Sequence, residues 1–367
     1  NRISVVSVDL TKVITTVNGH SEIRHEVEIE YIGNKHVSGA AQVLSNDPNL
    51  LEKTANVFFK SIQSTFQIIQ DSKTPLNNLQ HNGVIKKYLE AVGKFDPYAD
   101  SIGHTTKQIF SGCQPESLHT RHLEQLVRDA YFVTSKTDGF RYQLIAIPSP
   151  PLNDVPIEQQ PHRLRCFLID RWAHIKKTTL CIRVPNGEEL AHPIQNGFII
   201  DGELVSNPED ETFWPFDIIT LGRDDLRSKN TMTRLDVLRN VVESISQYQL
   251  LPSKNNVVPL RVRMKEFKFW AKGKASAGDL IPLLEQRETP IDGLVAMKDE
   301  PHPRKNAWPG LLKWKGSQST VDLMVKRNTK LKRWDLFCGG SFATLKKDGT
   351  RCLIFKKAGV TNYQTAW

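Results

Sequence analysis

Five short apolar segments between residues 131 and 222 limit this chain to a fold built on β-sheets. They are YFVTS, RYQLIAIP, RCFLID, FIIDGELV and FDIITLG. Each has the length and the β-branched or aromatic content of a strand. A helical period precedes them in SLHTRHLEQLVRD, where Ser117 is the expected N-cap and Arg121 and His122 are expected to face solvent, and another follows in TRLDVLRNVVESISQY. This order predicts an α+β domain built mainly on antiparallel strands.

The first hundred residues change from strand patterns to helix patterns. Residues 1 to 33 predict two strands with a hairpin turn at Asn18 and Gly19. The segments LLEKTANVFFKSIQSTFQIIQ and HNGVIKKYLEAVGKF then have helical spacing, and Asp96-Pro97 ends the second helix. Aromatic residues at this spacing are expected to be core residues, and the two helices are expected to connect neighbouring modules.

The second predicted strand carries three glutamates on one face. In HEVEIEY the two-residue period of a strand puts Glu26, Glu28 and Glu30 together. Their mutual repulsion would be relieved by open water or by a hard divalent cation with oxygen ligands. From the spacing alone, a solvent-exposed strand face is the favoured interpretation.

Composition sets broad limits on partners and location. The chain has 367 residues, 39% of them hydrophobic, which is enough for two or three domains. A net charge of +9 favours polyanionic partners, although a solvated basic face would give the same charge. The five cysteines are widely spaced without a CxxC pair. Because no long apolar run or signal pattern is present, we expect an intracellular protein with no membrane partner.

A potential lysine nucleophile, Lys136, lies in KTDGFR beside a glycine turn and close to Arg141. Lysine is a poor nucleophile while protonated, so a covalent role requires desolvation or neighbouring cations. The same pattern recurs in KKDGTR from Lys346, where apolar segments flank an Asp-Gly turn. That second context is typical of a β-hairpin, so we interpret Lys346 as structural.

Carboxylates and further lysines follow Lys136 along the chain. FIIDGELV carries Asp201 and Glu203, and TPIDGLV carries Asp292 beside a glycine. Lys313 and Lys315 would share one face if LLKWK forms a strand, and two such lysines suit a polyphosphate. Each string alone is typical of structure. Together they supply a nucleophile, metal-binding carboxylates and cationic phosphate ligands.

The ordered series KTDGFR, DGELV, FDII, IDGLV and LKWKGSQSTVDL resembles the motifs of the covalent nucleotidyltransferase superfamily, which contains DNA ligases, RNA ligases and mRNA capping guanylyltransferases. Three details resemble the capping branch: GCQPESLHTRHLEQL before the lysine, FLIDR after it, and Trp314 between the last two lysines with TVDL beyond. The resemblance covers about residues 112 to 325. It implies the ATP-grasp-like α+β fold of ligases and guanylyltransferases.

The resemblance also implies a role for each matching residue. Lys136 is the catalytic nucleophile that accepts GMP from GTP, and Asp292 binds Mg²⁺ or Mn²⁺. The remaining residues bind the nucleotide. Arg141 and Glu203 contact the ribose, and Phe216 stacks on the guanine. Lys313 and Lys315 hold the α phosphate and also favour the neutral form of the nucleophile. For Phe216, ordinary core packing in FWPFDII is the alternative.

The two ends of the chain resemble parts of other modules. RISV, VDLTKV and HEVEIEYIG resemble the closing strands of triphosphate tunnel metalloenzymes. This resemblance favours metal binding by Glu26, Glu28 and Glu30 over a solvent-exposed strand face. We expect four segments: 1–45 as the end of an RNA triphosphatase tunnel, 46–110 as a helical connector, 111–325 as the guanylyltransferase domain and 326–367 as the start of an OB-fold. No RxDK motif follows Val325, so we expect a fragment of a longer enzyme.

The predicted function is mRNA guanylyltransfer: GMP passes from GTP through lysyl-GMP to the 5′-diphosphate end of RNA. The resemblance extends to capping enzymes of large cytoplasmic DNA viruses, in which a triphosphatase that acts on 5′-triphosphate RNA precedes the guanylyltransferase. It favours the cytoplasm, in a viral factory or virion, and leaves open the nucleus and a cap methyltransferase domain or subunit. The alternatives are an ATP-dependent DNA or RNA ligase and a non-catalytic RNA-binding fragment.

Overall fold

The computed structural model describes most of the chain. The described residues are 6–17, 20–31, 48–70, 75–95, 110–150, 162–184, 192–206, 211–250, 259–274, 276–285, 289–302, 307–315, 324–328, 333–338, 342–345, 351–353 and 356–357. They form two compact units, Asn1–Trp314 and Lys315–Trp367. None of the described helices is long and apolar enough to cross a bilayer.

Helices and strands alternate irregularly along the chain. The helices are α1 (Pro48–Ile69), α2 (Asn78–Ala91), α3 (Leu123–Arg128), α4 (His192–Gln195), α5 (Thr231–Tyr248) and α6 (Ile281–Leu284). The strands are β1 (Val6–Val17), β2 (His20–Tyr31), β3 (Gln114–Ser117), β4 (Tyr131–Thr137), β5 (Phe140–Pro148), β6 (His162–Ile169), β7 (Ile175–Val184), β8 (Phe198–Ser206), β9 (Glu211–Leu221), β10 (Asp224–Asp225), β11 (Gln249–Leu250), β12 (Leu260–Val262), β13 (Phe267–Trp270), β14 (Ile291–Lys298), β15 (Ala307–Lys315), β16 (Met324–Asn328), β17 (Arg333–Cys338), β18 (Phe342–Leu345), β19 (Arg351–Leu353) and β20 (Lys356–Lys357).

Two mainly antiparallel sheets form the body of the first unit. The larger has the order β10-β9-β8-β5-β6-β7-β11, with β12 pairing parallel to β9. The smaller has the order β13-β4-β14-β15-β3, in which β13 and β14 pair antiparallel with β4 and β15 pairs in parallel with β3. Successive strands such as β5 and β6 are joined antiparallel. This architecture confirms the predicted α+β class and its antiparallel strands.

The larger sheet is covered on both faces, as strand β5 illustrates. Leu144 and Ala146 belong to the core that both sheets share with α5, whereas Ile145 and Ile147 pack with residues of α2 such as Ile85. Successive side chains of a strand point to opposite faces, so a segment with apolar residues at every position must be buried on both sides. The run LIAI in β5 therefore reflects a central strand.

The N-terminal strands and α1 form as predicted, but their apolar residues are largely exposed. Strands β1 and β2 pair antiparallel, with Asp9 opposite Glu28. The expectation that the aromatic residues of α1 are core residues is wrong for Phe59 and Phe66, whose exposed fractions are 65% and 40%. A periodic apolar stripe predicts a helix but does not say what covers it.

Two expectations near α3 are also wrong. Ser117 is not an N-cap, because it ends β3 and its backbone pairs with Lys313; a 3₁₀ turn at Thr120–His122 leads into the helix instead. His122 is buried rather than exposed, and its Nδ1 accepts a hydrogen bond of 3.1 Å from the backbone N–H of His119. Strand pairing with a distant segment overrides the local capping preference of serine.

The second unit contains short strands. Strand β17 pairs antiparallel with β16 and with β20. Strands β18 and β19 pair antiparallel, with Leu345 opposite Arg351. The antiparallel pairing of β18 with β19 confirms the hairpin expected around the second KxDGxR pattern, while residues 346–350, including Lys346, lie outside the described residues.

Candidate active site

A cavity of about 240 Å³ opens between the two sheets of the first unit. Strand β4 brings Lys136 into its lining, on the same strand face as the core residue Phe132. Val295, Met297 and Leu311 form its apolar wall. The charged and aromatic side chains of its lining that matter for chemistry are Lys136, Arg141, Arg171, Glu203, Phe216 and Lys265. Four of these side chains are cationic, which suits a ligand with several negative charges.

Lys136 and Asp292 form an ion pair in the cavity. The distance from Lys136 Nζ to Asp292 Oδ1 is 2.7 Å, and the two side chains are 18% and 26% exposed. Strand β14 pairs with β4 so that Gly293 lies opposite Lys136, and an irregularity between Ile291 and Gly293 shifts the register. Gly293 has a φ of 155°, a value that side chains disfavour. The irregularity thus requires glycine and carries the carboxylate next to the lysine.

Arg141 is held by a carboxylate beneath the cavity. Its Nε and Nη2 donate to the two carboxylate oxygens of Asp201 at 3.0 and 2.7 Å, and its Nη1 donates to the backbone oxygen of Cys113 at 2.5 Å. Burial lowers the pKa of Arg141, but the charge of Asp201, its hydrogen bond to the guanidinium and the nearby Cys113 and Glu203 together outweigh this effect and raise the pKa. Asp201 therefore fixes the guanidinium that borders the cavity.

A buried hydrogen-bond chain extends from Asp201 to helix α2. Gln143 Nε2 donates to Asp201 Oδ2 at 3.3 Å, and the Tyr88 hydroxyl donates to Gln143 Oε1 at 2.5 Å. The Ser111 backbone N–H donates to the same hydroxyl at 2.9 Å. Burial raises the pKa of Tyr88, so this group stays a neutral donor. The helical segment expected to be a connector thus supports the candidate site.

Glu203 lies in the cavity and is paired with a lysine that the motif reasoning missed. Lys265 Nζ is 3.3 Å from Glu203 Oε2 and donates to the backbone oxygen of Ser135 at 3.3 Å. Burial lowers the pKa of Lys265, the Glu203 carboxylate opposes this effect, and the charge of Lys136 lowers it further. Lys265 follows β12 in a segment without regular structure. No glycine turn or strand period marks it.

Phe216 faces the cavity between two cations. The Arg141 guanidinium carbon is 5.3 Å from its ring centroid and Lys265 Nζ is 5.6 Å from it. Its neighbour Phe213 is fully buried in the shared core, whereas Phe216 is half-buried and lines the cavity. A ring in this position has a face available to a planar ligand. Its proposed stacking role remains a prediction.

The two late lysines lie on strand β15. Since β15 is a strand, Lys313 and Lys315 share one face, as expected. Leu311, two positions earlier on that face, lines the cavity, although Lys313 itself is not among the lining residues. Their phosphate-binding roles remain predictions.

The glutamates of β2 do not form a recognisable metal centre in the described part of the chain. Glu26, Glu28 and Glu30 are exposed. Among the described residues, no three His, Cys, Asp or Glu side chains lie close enough together to hold a metal ion. The metal role of the three glutamates stays a prediction.

Comparison with known proteins identifies the family. The sequence model described as "mRNA capping enzyme, catalytic domain" matches residues 70–317, which is more than half of the chain. The chain belongs to the mRNA capping enzyme family. This confirms the resemblance of the ordered motifs, and the match begins upstream of α2, the helix that carries Tyr88.

Individual capping enzymes are similar over part of their length. The mRNA-capping enzyme subunit alpha of Neurospora crassa is 26% identical over 60% of this chain and 55% of that protein. The probable mRNA-capping enzyme of Acanthamoeba polyphaga mimivirus is 22% identical over 51% of this chain and 14% of that protein. The chain thus spans about half the length of the fungal relative. Neither similarity is evidence for a fused triphosphatase.

One match among solved structures is the ligase domain from M. tuberculosis LigD. It is 13% identical, with 64% of this chain and 68% of that chain covered, at a TM-score of 0.30. A similarity this weak adds nothing to the family assignment.

Proposed function

We propose that this chain carries the guanylyltransferase activity of mRNA capping, with Lys136 as the nucleophile. The observation that carries the proposal is the position of Lys136 in a cationic cavity, 2.7 Å from Asp292, within a chain of the capping enzyme family. In the first step Lys136 Nζ attacks the α phosphorus of GTP. A P–N bond forms, the P–O bond to pyrophosphate breaks, and the amine loses a proton.

In the second step the 5′-diphosphate end of RNA replaces the lysine. An oxygen of its β phosphate attacks the lysyl-GMP phosphorus, the P–N bond breaks, and Nζ takes up a proton as it leaves. The product is the GpppN cap. One pocket can serve both steps because the donor and the acceptor enter in turn.

The remaining side chains are proposed to hold the nucleotide. Arg141 and Glu203 would contact the ribose, Phe216 would stack on the guanine, and Lys313 and Lys315 would bind the α phosphate. The fixed guanidinium of Arg141 and the half-buried ring of Phe216 support these roles, because neither needs to rearrange before a ligand enters.

The residues present fit one divalent cation at Asp292. Mg²⁺ in nucleotide sites takes one or two carboxylates together with phosphate oxygens, so a partly exposed carboxylate beside the nucleophile is a suitable donor. When bound, Mg²⁺ or Mn²⁺ offsets charge on the phosphates. Asp292 also pairs with Lys136, so a cation bound to this carboxylate would compete with that ion pair.

Asp292→Asn should lower covalent labelling by GTP by about a hundredfold or more, because a neutral amide binds a divalent cation much more weakly than a carboxylate does. EDTA should stop labelling of the unmodified protein, and labelling should return when Mn²⁺ is added. The control is Asp236→Asn on α5, whose carboxylate is 62% exposed and does not line the cavity. Equal labelling by the Asp292 and Asp236 variants would exclude Asp292 as the metal ligand.

The activity is tested by incubating the protein with α-labelled GTP and a divalent cation. We expect labelled protein whose label survives alkali and is lost in acid, as a phosphoramidate requires. Labelling by ATP but not by GTP would favour the ligase alternative. Salt-sensitive RNA binding without any covalent label would favour the RNA-binding alternative.

Wider features of the protein are proposed from sequence resemblance alone. We propose that residues 1–45 belong to an RNA triphosphatase tunnel that uses Glu26, Glu28 and Glu30, and that 326–367 begin an OB-fold, on either side of the connector 46–110 and the domain 111–325. On the same basis, a longer parent enzyme would also act on 5′-triphosphate RNA, work with a cap methyltransferase, and function in the cytoplasm of infected cells or in the nucleus.

A further inference from the structure

Two large aromatic side chains lie exposed beside the cavity of Lys136. Phe140 is 77% exposed and lines the cavity, and Trp172 is 56% exposed in the turn after β6. Among the other tryptophans of the same unit, Trp214 is 7% exposed and Trp308 is 3% exposed, whereas Trp314 is 40% exposed. Exposed rings also occur elsewhere in this unit, as at Phe59, so the feature to explain is the position of these two rings beside a cationic cavity.

Strand register brings the two exposed rings to one edge of the larger sheet. Gln143 of β5 pairs with Ile169, the last residue of β6. Phe140 lies three residues before Gln143, and Trp172 lies three residues after Ile169. In an antiparallel pair, residues that precede one partner lie beside residues that follow the other. Phe140 and Trp172 therefore lie at the same end of the β5-β6 pair.

The turn that carries Trp172 has a fixed backbone. Asp170 Oδ1 accepts hydrogen bonds of 2.8 Å from the backbone N–H groups of both Trp172 and His174. Ala173 has a φ of 65°, which a non-glycine residue adopts only where its surroundings impose it. The exposed indole is thus presented by an ordered turn.

A cation connects Trp172 to the cavity. The Arg171 guanidinium carbon is 5.3 Å from the Trp172 ring centroid, and Arg171 lines the same cavity as Lys136 and Phe140. Proteins bind single-stranded nucleic acid through exposed aromatic rings and neighbouring cations. The bases stack on the rings, and the cations attract the phosphates. A protein of net charge +9 adds long-range attraction for such a polyanion.

We propose that Phe140 and Trp172 form a stacking platform for the first bases of the acceptor RNA, with Arg171 beside its 5′ phosphates. This inference rests on the proposed guanylyltransfer, which needs a single-stranded 5′ end at the mouth of the cavity in its second step. GTP would occupy the inner residues Arg141, Glu203 and Phe216. The outer rings are left for the substrate that arrives afterwards.

The test uses the full chain and a 3′-fluorescent, single-stranded RNA of about ten nucleotides with a 5′ diphosphate. Fluorescence anisotropy measures its affinity for the unmodified protein, Phe140→Ala and Trp172→Ala. Each variant should weaken RNA binding about tenfold, since stacking of one base contributes roughly that factor. Trp172→Phe, which keeps a ring, should retain most of the affinity. Phe59→Ala on α1 removes an equally exposed ring, 65% exposed, and should change the affinity less than about twofold.

Transfer kinetics separate this inference from the proposed function. The KM for RNA in GMP transfer should rise about tenfold in Trp172→Ala, and the loss in transfer should exceed any loss in GTP labelling. Suppose that the unmodified chain binds RNA and the two alanine variants weaken this binding, but the unmodified chain is not labelled by GTP. The platform then stands and the proposed activity fails. RNA affinity equal to that of Phe59→Ala, or no RNA binding by the unmodified chain, overturns the platform.

Discussion

Lys136→Ala should abolish covalent labelling by GTP, a fall of about a thousandfold or more, because the attacking amine is removed and the other cavity lysine, Lys265, is held by Glu203 and the Ser135 backbone oxygen. Lys346→Ala should label like the unmodified protein. The two lysines begin the same short pattern, KxDGxR, so this pair of variants isolates the effect of context. The measurement is radiolabel retained on the protein after denaturing electrophoresis with α-labelled GTP and Mn²⁺.

A charge-preserving variant separates chemistry from folding. Lys136→Arg can keep a cation near Asp292, which otherwise loses the partner at 2.7 Å, but an arginine cannot deprotonate to attack. We expect it to unfold at a temperature close to that of the unmodified protein and to remain unlabelled. Labelling of Lys136→Ala together with loss of labelling in Lys346→Ala would show that the nucleophile has been assigned to the wrong lysine.

Strand patterns predicted most of the fold, and motif order singled out Lys136, which lies in the cavity. The apolar segments of β4, β5, β6, β8 and β9 all form strands, because an alternating or continuous apolar run of that length is stable only within a sheet. Lys136 and Asp292 were predicted to cooperate from motif order. Their contact depends on a register shift at Gly293, which the glycine signals but does not specify.

The supporting residues could not be predicted because their contacts arise from tertiary packing. Tyr88 reaches Gln143 across 55 positions, and Lys265 reaches Glu203 across 62 positions. The helical period around Tyr88 predicts a helix but not a buried hydroxyl, and no period marks Lys265. Buried polar groups reveal their role only through the partner that satisfies them. Asp201 appeared as a metal-type carboxylate beside a glycine, yet its oxygens are used by Arg141.

Gly112→Ala should both destabilise the protein and weaken GTP labelling. A β carbon at this buried position would overlap Asp201 Oδ2 and would lie 2.5 Å from Arg141 Nη2 and 2.6 Å from Phe110 Cε1. The carboxylate and guanidinium cannot move apart cheaply, because each is buried and already hydrogen-bonded to the other. We expect a loss of about 2–3 kcal/mol in the free energy of unfolding, as for overpacked cores.

The effect on labelling distinguishes a role in the site from a role in stability alone. If Asp201 positions Arg141 for GTP, Gly112→Ala should raise the GTP concentration for half-maximal labelling at a temperature where the variant is fully folded, by about tenfold. Gly83→Ala is the matched control: it lies within α2, nothing lies within 4 Å of its added methyl group, and it should stabilise the protein by about 0.5–1 kcal/mol. Unchanged GTP dependence in folded Gly112→Ala would mean that the Arg141–Asp201 pair supports only the sheet. A parallel rise in the GTP requirement and fall in stability would show that the Arg141–Asp201 pair serves both the nucleotide and the fold.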